Sequence, residues 1–178
     1  MTAVDVLASA PVTDWPERLL LTALLALLLL AVIGLMRLGW VRRGRRQQDI
    51  AALPPVPPLP QQGLMVSGVP ARYLGTTRAG DWLDRVVVQG LGVPSAAQVA
   101  VGADGVWCLR TGAPDLFIPA DRLVEARHDR GHAGKVYEAG GVLVLTWRHD
   151  AATLETGLRV RDAAAAEDVR RSATGAIR

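Results

Sequence analysis

Residues 140–160 read GGVLVLTWRHDAATLETGLRV. Val142–Trp147 is rich in aliphatic, β-branched and aromatic side chains, and Gly140-Gly141 introduces it, which is the composition of a strand. Leu154–Val160 is a second such run, placed to pair back onto the first across Arg148–Thr153. Downstream the pattern changes. Asp162 is a helix N-cap residue, followed by Ala163–Ala166, Glu167, Asp168, Val169, Arg170 and Arg171. Acids early and bases late suit the helix dipole. This predicts a terminal helix that frays near Gly175.

Upstream, short apolar runs recur between Gly, Pro and Asp. Leu64–Val69, Arg72–Thr76 and Val86–Val88 read as strands, with a turn at Ala79–Asp81 before the last of them. Gln98–Val101 and Val106–Arg110 straddle Gly102-Ala103-Asp104-Gly105, a four-residue hairpin connection ending in Asp-Gly. Leu116–Ile118 and Leu123–Arg127 complete the set. Seven or eight short strands followed by one helix predict a mainly β unit over 64–174, a small barrel or sandwich closed by a C-terminal α-helix.

Before it stands LPPVPPLP, residues 53–60. Prolines at this density favour polyproline II and forbid a helix. A semi-rigid stalk is expected, although the PxxP spacings also suit a proline-binding partner. Residues 42–63 are therefore read as a basic juxtamembrane segment and Pro-rich linker.

Leu19–Met36, LLLTALLALLLLAVIGLM, has no charge, and Thr22 is its one polar side chain. At a rise of ~1.5 Å per residue, helix over 18–41 passes ~30 Å, enough to span a hydrocarbon core. Trp15 and Trp40 flank it at headgroup level. A cleaved signal peptide would have a basic leader, whereas the leading residues here are acidic. Arg42, Arg43, Arg45 and Arg46 crowd the C-terminal side. The positive-inside rule puts residues 1–17 outside the plasma membrane and the C-terminal unit in the cytoplasm. The same four arginines can anchor the surface of an anionic leaflet.

Charge placement narrows the partners. Residues 1–46 hold the whole formal excess of +3, and the remaining acids and bases balance. A neutral folded unit does not carry the basic stripe that nucleic acid requires. A single cysteine, Cys108, excludes an intrachain disulfide, and its apolar neighbours suit a buried thiol.

Catalytic and metal motifs are thin. His128 and His132 have ligand spacing, but Gly131 and Gly134 argue for a loop and no zincin glutamate follows. Gly131-His132-Ala133-Gly134-Lys135 has the wrong glycine gap for a phosphate loop, and Val136 stands where the hydroxyl belongs. His149 and Asp150 are adjacent and point to opposite faces of a strand. No cofactor, metal or enzyme activity is expected. Trp82, Trp107 and Trp147 suit core or rim positions. Asp81, Asp84 and Arg85 cluster after Gly80; they could hold a cation, but a turn cap and an ion pair account for them. Lys135, on a glycine-rich turn, could meet an anion or a partner carboxylate. Asp81, Asp84, Arg85 and Lys135 are the candidate contacts.

The order of elements resembles a pleckstrin-homology (PH)-like barrel. Residues 73–86, YLGTTRAGDWLDRV, are similar to the opening of an actinobacterial family of single-pass membrane proteins with a bacterial PH-like domain. Gly90-Leu91-Gly92, Phe117-Ile118-Pro119-Ala120, Ala133-Gly134-Lys135 and Thr156-Gly157-Leu158-Arg159 match it further. Members are often labelled transporters or exporters. One helix cannot build an alternating-access path, so that label implies at most an accessory subunit. The leading expectation is a membrane-anchored, non-catalytic interaction module, with a protein partner or an anionic lipid headgroup as its target. The alternative is an accessory subunit of a transport or export complex.

Overall fold

The computed structural model describes residues 15–47 and 50–177, without the side chains of residue 40 and residues 43–46. The expected outer tail lies almost wholly outside the described residues, as do the side chains of Trp40, Arg43, Arg45 and Arg46. The chain divides into two units, Met1–Arg43 and Gly44–Arg178.

The first unit is helix α1, Trp15–Arg46, whose last turn runs into the second unit. Trp15–Gly39 is long and apolar enough to cross a membrane, with mean hydropathy 2.9 and none of that window buried against protein. The Thr22 hydroxyl donates to the Arg18 carbonyl at 2.8 Å, so the one polar side chain of the leucine run is satisfied within its own helix. Arg42 is exposed.

Among the described residues the second unit holds ten strands: β1 Leu64–Arg78, β2 Asp81–Arg85, β3 Ser95–Gly102, β4 Gly105–Arg110, β5 Leu116–Pro119, β6 Leu123–Asp129, β7 Gly131–His132, β8 Lys135–Val136, β9 Val142–His149 and β10 Ala152–Val160. Helix α2, Ala163–Ala176, follows. Antiparallel pairing gives the order β5-β4-β3-β1-β10-β9-β6, with β2 on β1 and a separate β7–β8 hairpin. The mainly β plan with a C-terminal helix is therefore present. Hydrogen bonds do not close the sheet into a barrel, and β5 and β6 remain its edges.

The core explains why the open sheet still wraps. Val99 and Val106 from one end of the order share a cluster with Leu145 and Ala126 from the other. Helix α2 lies across β3 and β6, turning Ala166, Val169, Ala173 and Ala176 inward. Three alanines on that face let it approach closely. Asp162 caps it, accepting from the Ala164 and Ala165 N–H groups at 2.9 and 3.3 Å, as its position predicted.

A chain of buried polar groups crosses this core. Trp147 Nε1 donates to Thr156 Oγ1 at 3.0 Å, and Thr156 and Thr76 hydroxyls are 2.8 Å apart. Thr76 meets the Tyr73 hydroxyl at 2.7 Å, which donates to the Leu91 carbonyl at 2.8 Å. Only one proton arrangement serves both fixed ends: each hydroxyl donates onward, from Trp147 to Leu91. Every link is satisfied, which is the condition for a buried network to stabilise.

Local boundaries differ from expectation for identifiable reasons. Leu64–Thr76 is one strand because Gly68, at φ +65°, and two register shifts against β3 absorb the break. Strand β2 is Asp81–Arg85, not Val86–Val88, and a 3-10 turn occupies Val88–Gly90. Gly102 pairs with Gly105, so the β3–β4 hairpin has a two-residue turn, Ala103-Asp104. His149 likewise pairs with Ala152, leaving Asp150 at φ +53° in the turn.

The segment before β1 packs against the β unit. Ile50 is 5% exposed and belongs to the main core cluster, where Leu53 joins it. Gln47 donates to the Arg85 carbonyl and accepts from the Val87 N–H, at 2.9 and 2.8 Å. His149 Nε2 lies 2.9 Å from the Ala51 carbonyl, and Trp107 Nε1 donates to the Pro57 carbonyl at 3.1 Å. Leu59 packs on Trp107 and Phe117. Polyproline II leaves its carbonyls unpaired, so this stretch can dock by accepting bonds. The proline-rich segment is a strap on the β unit, not a free stalk.

Candidate functional site

Strand β2 and the β7–β8 hairpin meet on the outer face of β1, β10, β9 and β6. Asp81 fixes the start of β2: its Oδ1 accepts from the Leu83 and Asp84 N–H groups at 2.9 and 3.2 Å. Asp84 pairs with Arg78 Nε at 3.2 Å. Arg85 donates to the Gly92 and Ala133 carbonyls at 3.1 and 2.8 Å, tying β2 to the hairpin. Lys135 is exposed on β8 opposite His132, and its ammonium has no ion-pair partner among the described residues. The four candidate contacts are thus gathered at one end of the unit. Three already hold the local backbone or each other's neighbours; Lys135 alone is uncommitted.

Between these elements lies a cleft of about 420 Å³. Its walls are Trp82 and Val136, and its floor is Arg127, Asp129 and Glu155, none of which the sequence singled out for contact. Trp82, Leu83 and Val136 are 43%, 62% and 70% exposed, large apolar side chains in water, and Trp82 and Val136 line the cleft. The legible signal was Trp82-Leu83 itself: two large apolar neighbours on a strand cannot both face one core. Trp107 and Trp147, in contrast, are buried.

The floor is charged and paired. Arg127 reaches Glu155 at 2.8 Å, Asp129 at 2.5 Å and Glu125 at 3.5 Å. Burial works against the guanidinium charge, but the bonds to Glu155 and Asp129 outweigh it and raise its pKa. Burial likewise opposes the Asp129 charge, and bonds from the Arg130 N–H and Arg127 overcome it, leaving its pKa lowered. Thr77 and Thr146 stand directly opposite Glu155 on β1 and β9, with buried hydroxyls that find no partner among the described residues.

His132 closes the back of the cleft. Gly75 and Gly157 face each other across β1 and β10; the imidazole fills the notch left by the missing side chain of Gly157, while Gly75 faces the Arg85 guanidinium and Ala133. Its Nε2 lies 3.0 Å from the Gly75 carbonyl, which can only accept, so that nitrogen carries the proton. Burial lowers its pKa to about 4. The ring is therefore neutral at physiological pH. The unfolded chain binds this proton with a pKa of ~6.5. The histidine's contribution is complete above that value and lost as pH falls towards 4, about 3 kcal/mol over the window. Denaturant titrations between pH 7 and pH 4 should show this slope, and His132→Asn should flatten it; an equal slope in the variant would show that other groups carry it.

The histidines spaced like ligands part company. His128 Nε2 meets Glu167 on α2 at 3.2 Å, while His132 sits in the glycine notch. Among the described residues, no three His, Cys, Asp or Glu side chains gather to hold a metal ion. Cys108 is buried and its thiol is pushed up to about 12, which makes it a poor nucleophile. What the cleft can do is grip: an aromatic wall, an apolar rim and a fixed polar floor.

The family described as bacterial PH domain-like matches residues 50–174. No curated protein matches the chain.

Proposed function

The chain belongs to the bacterial PH domain-like family, and from that premise we propose that it is a non-catalytic interaction module held at the cytoplasmic face of the membrane. PH-like domains generally recognise rather than transform, which is why the family supports a binding role. Trp15–Gly39 supplies the anchor in this reading, its N-terminus outside, with Arg42, Arg43, Arg45 and Arg46 on the inner side. The observation that carries the reading is exposed Trp82 and Val136 lining a cleft with a charged floor, with exposed Leu83 beside Trp82 on β2. A protein partner is the occupant that such an aromatic anchor site suits, and Asp81, Asp84, Arg85 and Lys135 are its further contacts in this proposal.

A photo-crosslinking residue at Leu83, in full-length protein in its native membrane, tests this. The expected result is one dominant protein adduct that is absent when the probe sits at exposed Val124, on β6. Equal, diffuse labelling from both positions would end the proposal.

A further inference from the structure

Between the end of α1 and the first anchored residue of the β unit the backbone has no slack. Helix α1 ends at Arg46, its last turn already part of the second unit, and Gln47, the next residue, is 4% exposed. The Gln47 amide bridges the far end of β2, donating to the Arg85 carbonyl at 2.9 Å and accepting from the Val87 N–H at 2.8 Å. One planar amide thus fixes two backbone groups at once. Ile50 lies in the core, and its N–H donates to the Gln47 carbonyl at 3.2 Å. The Gln89 side chain ties the same stretch from the other side, accepting from the Leu53 N–H and donating to the Ile50 carbonyl. A flexible linker would absorb a helix movement before it reached the sheet. Here the first residue past the helix is already clamped.

From this clamp the contacts lead to the cleft. Gln47 holds the Arg85 carbonyl, and the Arg85 guanidinium holds the Ala133 carbonyl in the β7–β8 turn. Ala133 stands at φ +51° and Gln89 at φ +53°. Non-glycine residues in this left-handed region are strained and stay there only where their neighbours enforce it. Arg85 grips the one, and the backbone after Gln47 grips the other. Trp82 is on β2 and Val136 on the β7–β8 hairpin, so the two cleft walls belong to the two elements that Arg85 joins. The spacing of those walls therefore depends on where Gln47 sits.

The helix supplies the movement. Trp15–Gly39 has 25 residues. At ~1.5 Å each such a span is ~37 Å long, against ~30 Å of hydrocarbon. A span longer than its bilayer tilts, and the tilt changes with bilayer thickness.

We infer that α1 is mechanically coupled to the Trp82 cleft through Gln47 and Arg85, so that the chain transmits a displacement of its membrane helix to the cleft walls. This coupling needs the membrane anchor proposed above, but no particular occupant of the cleft. By reciprocity, an occupant that spreads β2 from the hairpin biases the helix by the same free energy.

The test follows backbone amide exchange by mass spectrometry in full-length protein, in nanodiscs of dimyristoyl- or dierucoyl-phosphatidylcholine, a thin and a thick bilayer. Residues 81–87 and 131–137 should exchange at rates that differ several-fold between the two discs, while α2 should not change. The readout is the ratio between bilayers, which loss of stability alone leaves at unity. Inserting Gly-Ser-Gly-Ser between Arg46 and Gln47 adds slack and keeps the clamp, and it should abolish the difference. The same insertion between Pro60 and Gln61, exposed and beyond the clamp, should preserve it. Equal exchange of the wild type in both discs overturns the coupling, as does a difference that survives the first insertion or is lost equally in both. A chain that stays soluble without lipid removes the anchor and the coupling together, whereas incorporation with equal exchange removes the coupling alone. The crosslinking result at Leu83 stands or falls without reference to it.

Discussion

Gly157→Ala is expected to be among the most damaging single substitutions in the β unit, lowering its stability by about 3 kcal/mol. A methyl there would run into Cδ2 and Cγ of the His132 ring. The ring has little room to retreat: it is 1% exposed and bonded to the Gly75 carbonyl. Overpacking of a rigid site costs more than the modest gain in strand propensity from replacing glycine. His132→Ala alone should also destabilise, because it empties the notch and leaves the Gly75 carbonyl unpartnered. The double variant should then be no worse than His132→Ala, since alanine at 157 would occupy emptied space. Urea titrations of the four proteins give the coupling directly. Simple additivity, or a harmless Gly157→Ala, would mean that the glycine is not there for the histidine.

Removing the strap should cost still more. A soluble fragment of residues 64–178 lacks Ile50, Leu53 and Leu59, and it strips partners from Val87, Gln89, Trp107 and His149. Losing a buried Ile side chain alone costs about 2–5 kcal/mol, and each lost hydrogen bond about 1 kcal/mol. The sum is a large share of the ~5–15 kcal/mol that holds a typical domain together. Against a fragment of residues 44–178, the shorter one should melt at least ~15 °C lower or show no cooperative transition. Equal melting temperatures would show that the docked segment contributes nothing.

Local signals were readable where their cause was local. Val142–Trp147 and Leu154–Val160 announced a hairpin through composition, Asp162 announced a cap, and Leu19–Met36 announced a helix without a polar face. The features that carry function have distant causes. His132 fills the notch over Gly157 and bonds the Gly75 carbonyl, and those two glycines are neighbours only through the β1–β10 register. The strap looked like a stalk because nothing in LPPVPPLP tells of Trp107 waiting for the Pro57 carbonyl. Asp81, Asp84 and Arg85 were found by their density of charge, but density cannot say that their hydrogen bonds go to a turn, to Arg78 and to the Gly92 and Ala133 carbonyls.

The placement of β1 also bears on how the chain is made. It sits mid-sheet between β3 and β10, so its second flank stays bare until Ala152–Val160 has left the ribosome. By then the leucine-rich helix and every other strand have already been synthesised. The seam zipped last is the middle of the sheet and not its rim, and a nascent chain stalled before Val160 offers an adhesive backbone edge to its neighbours.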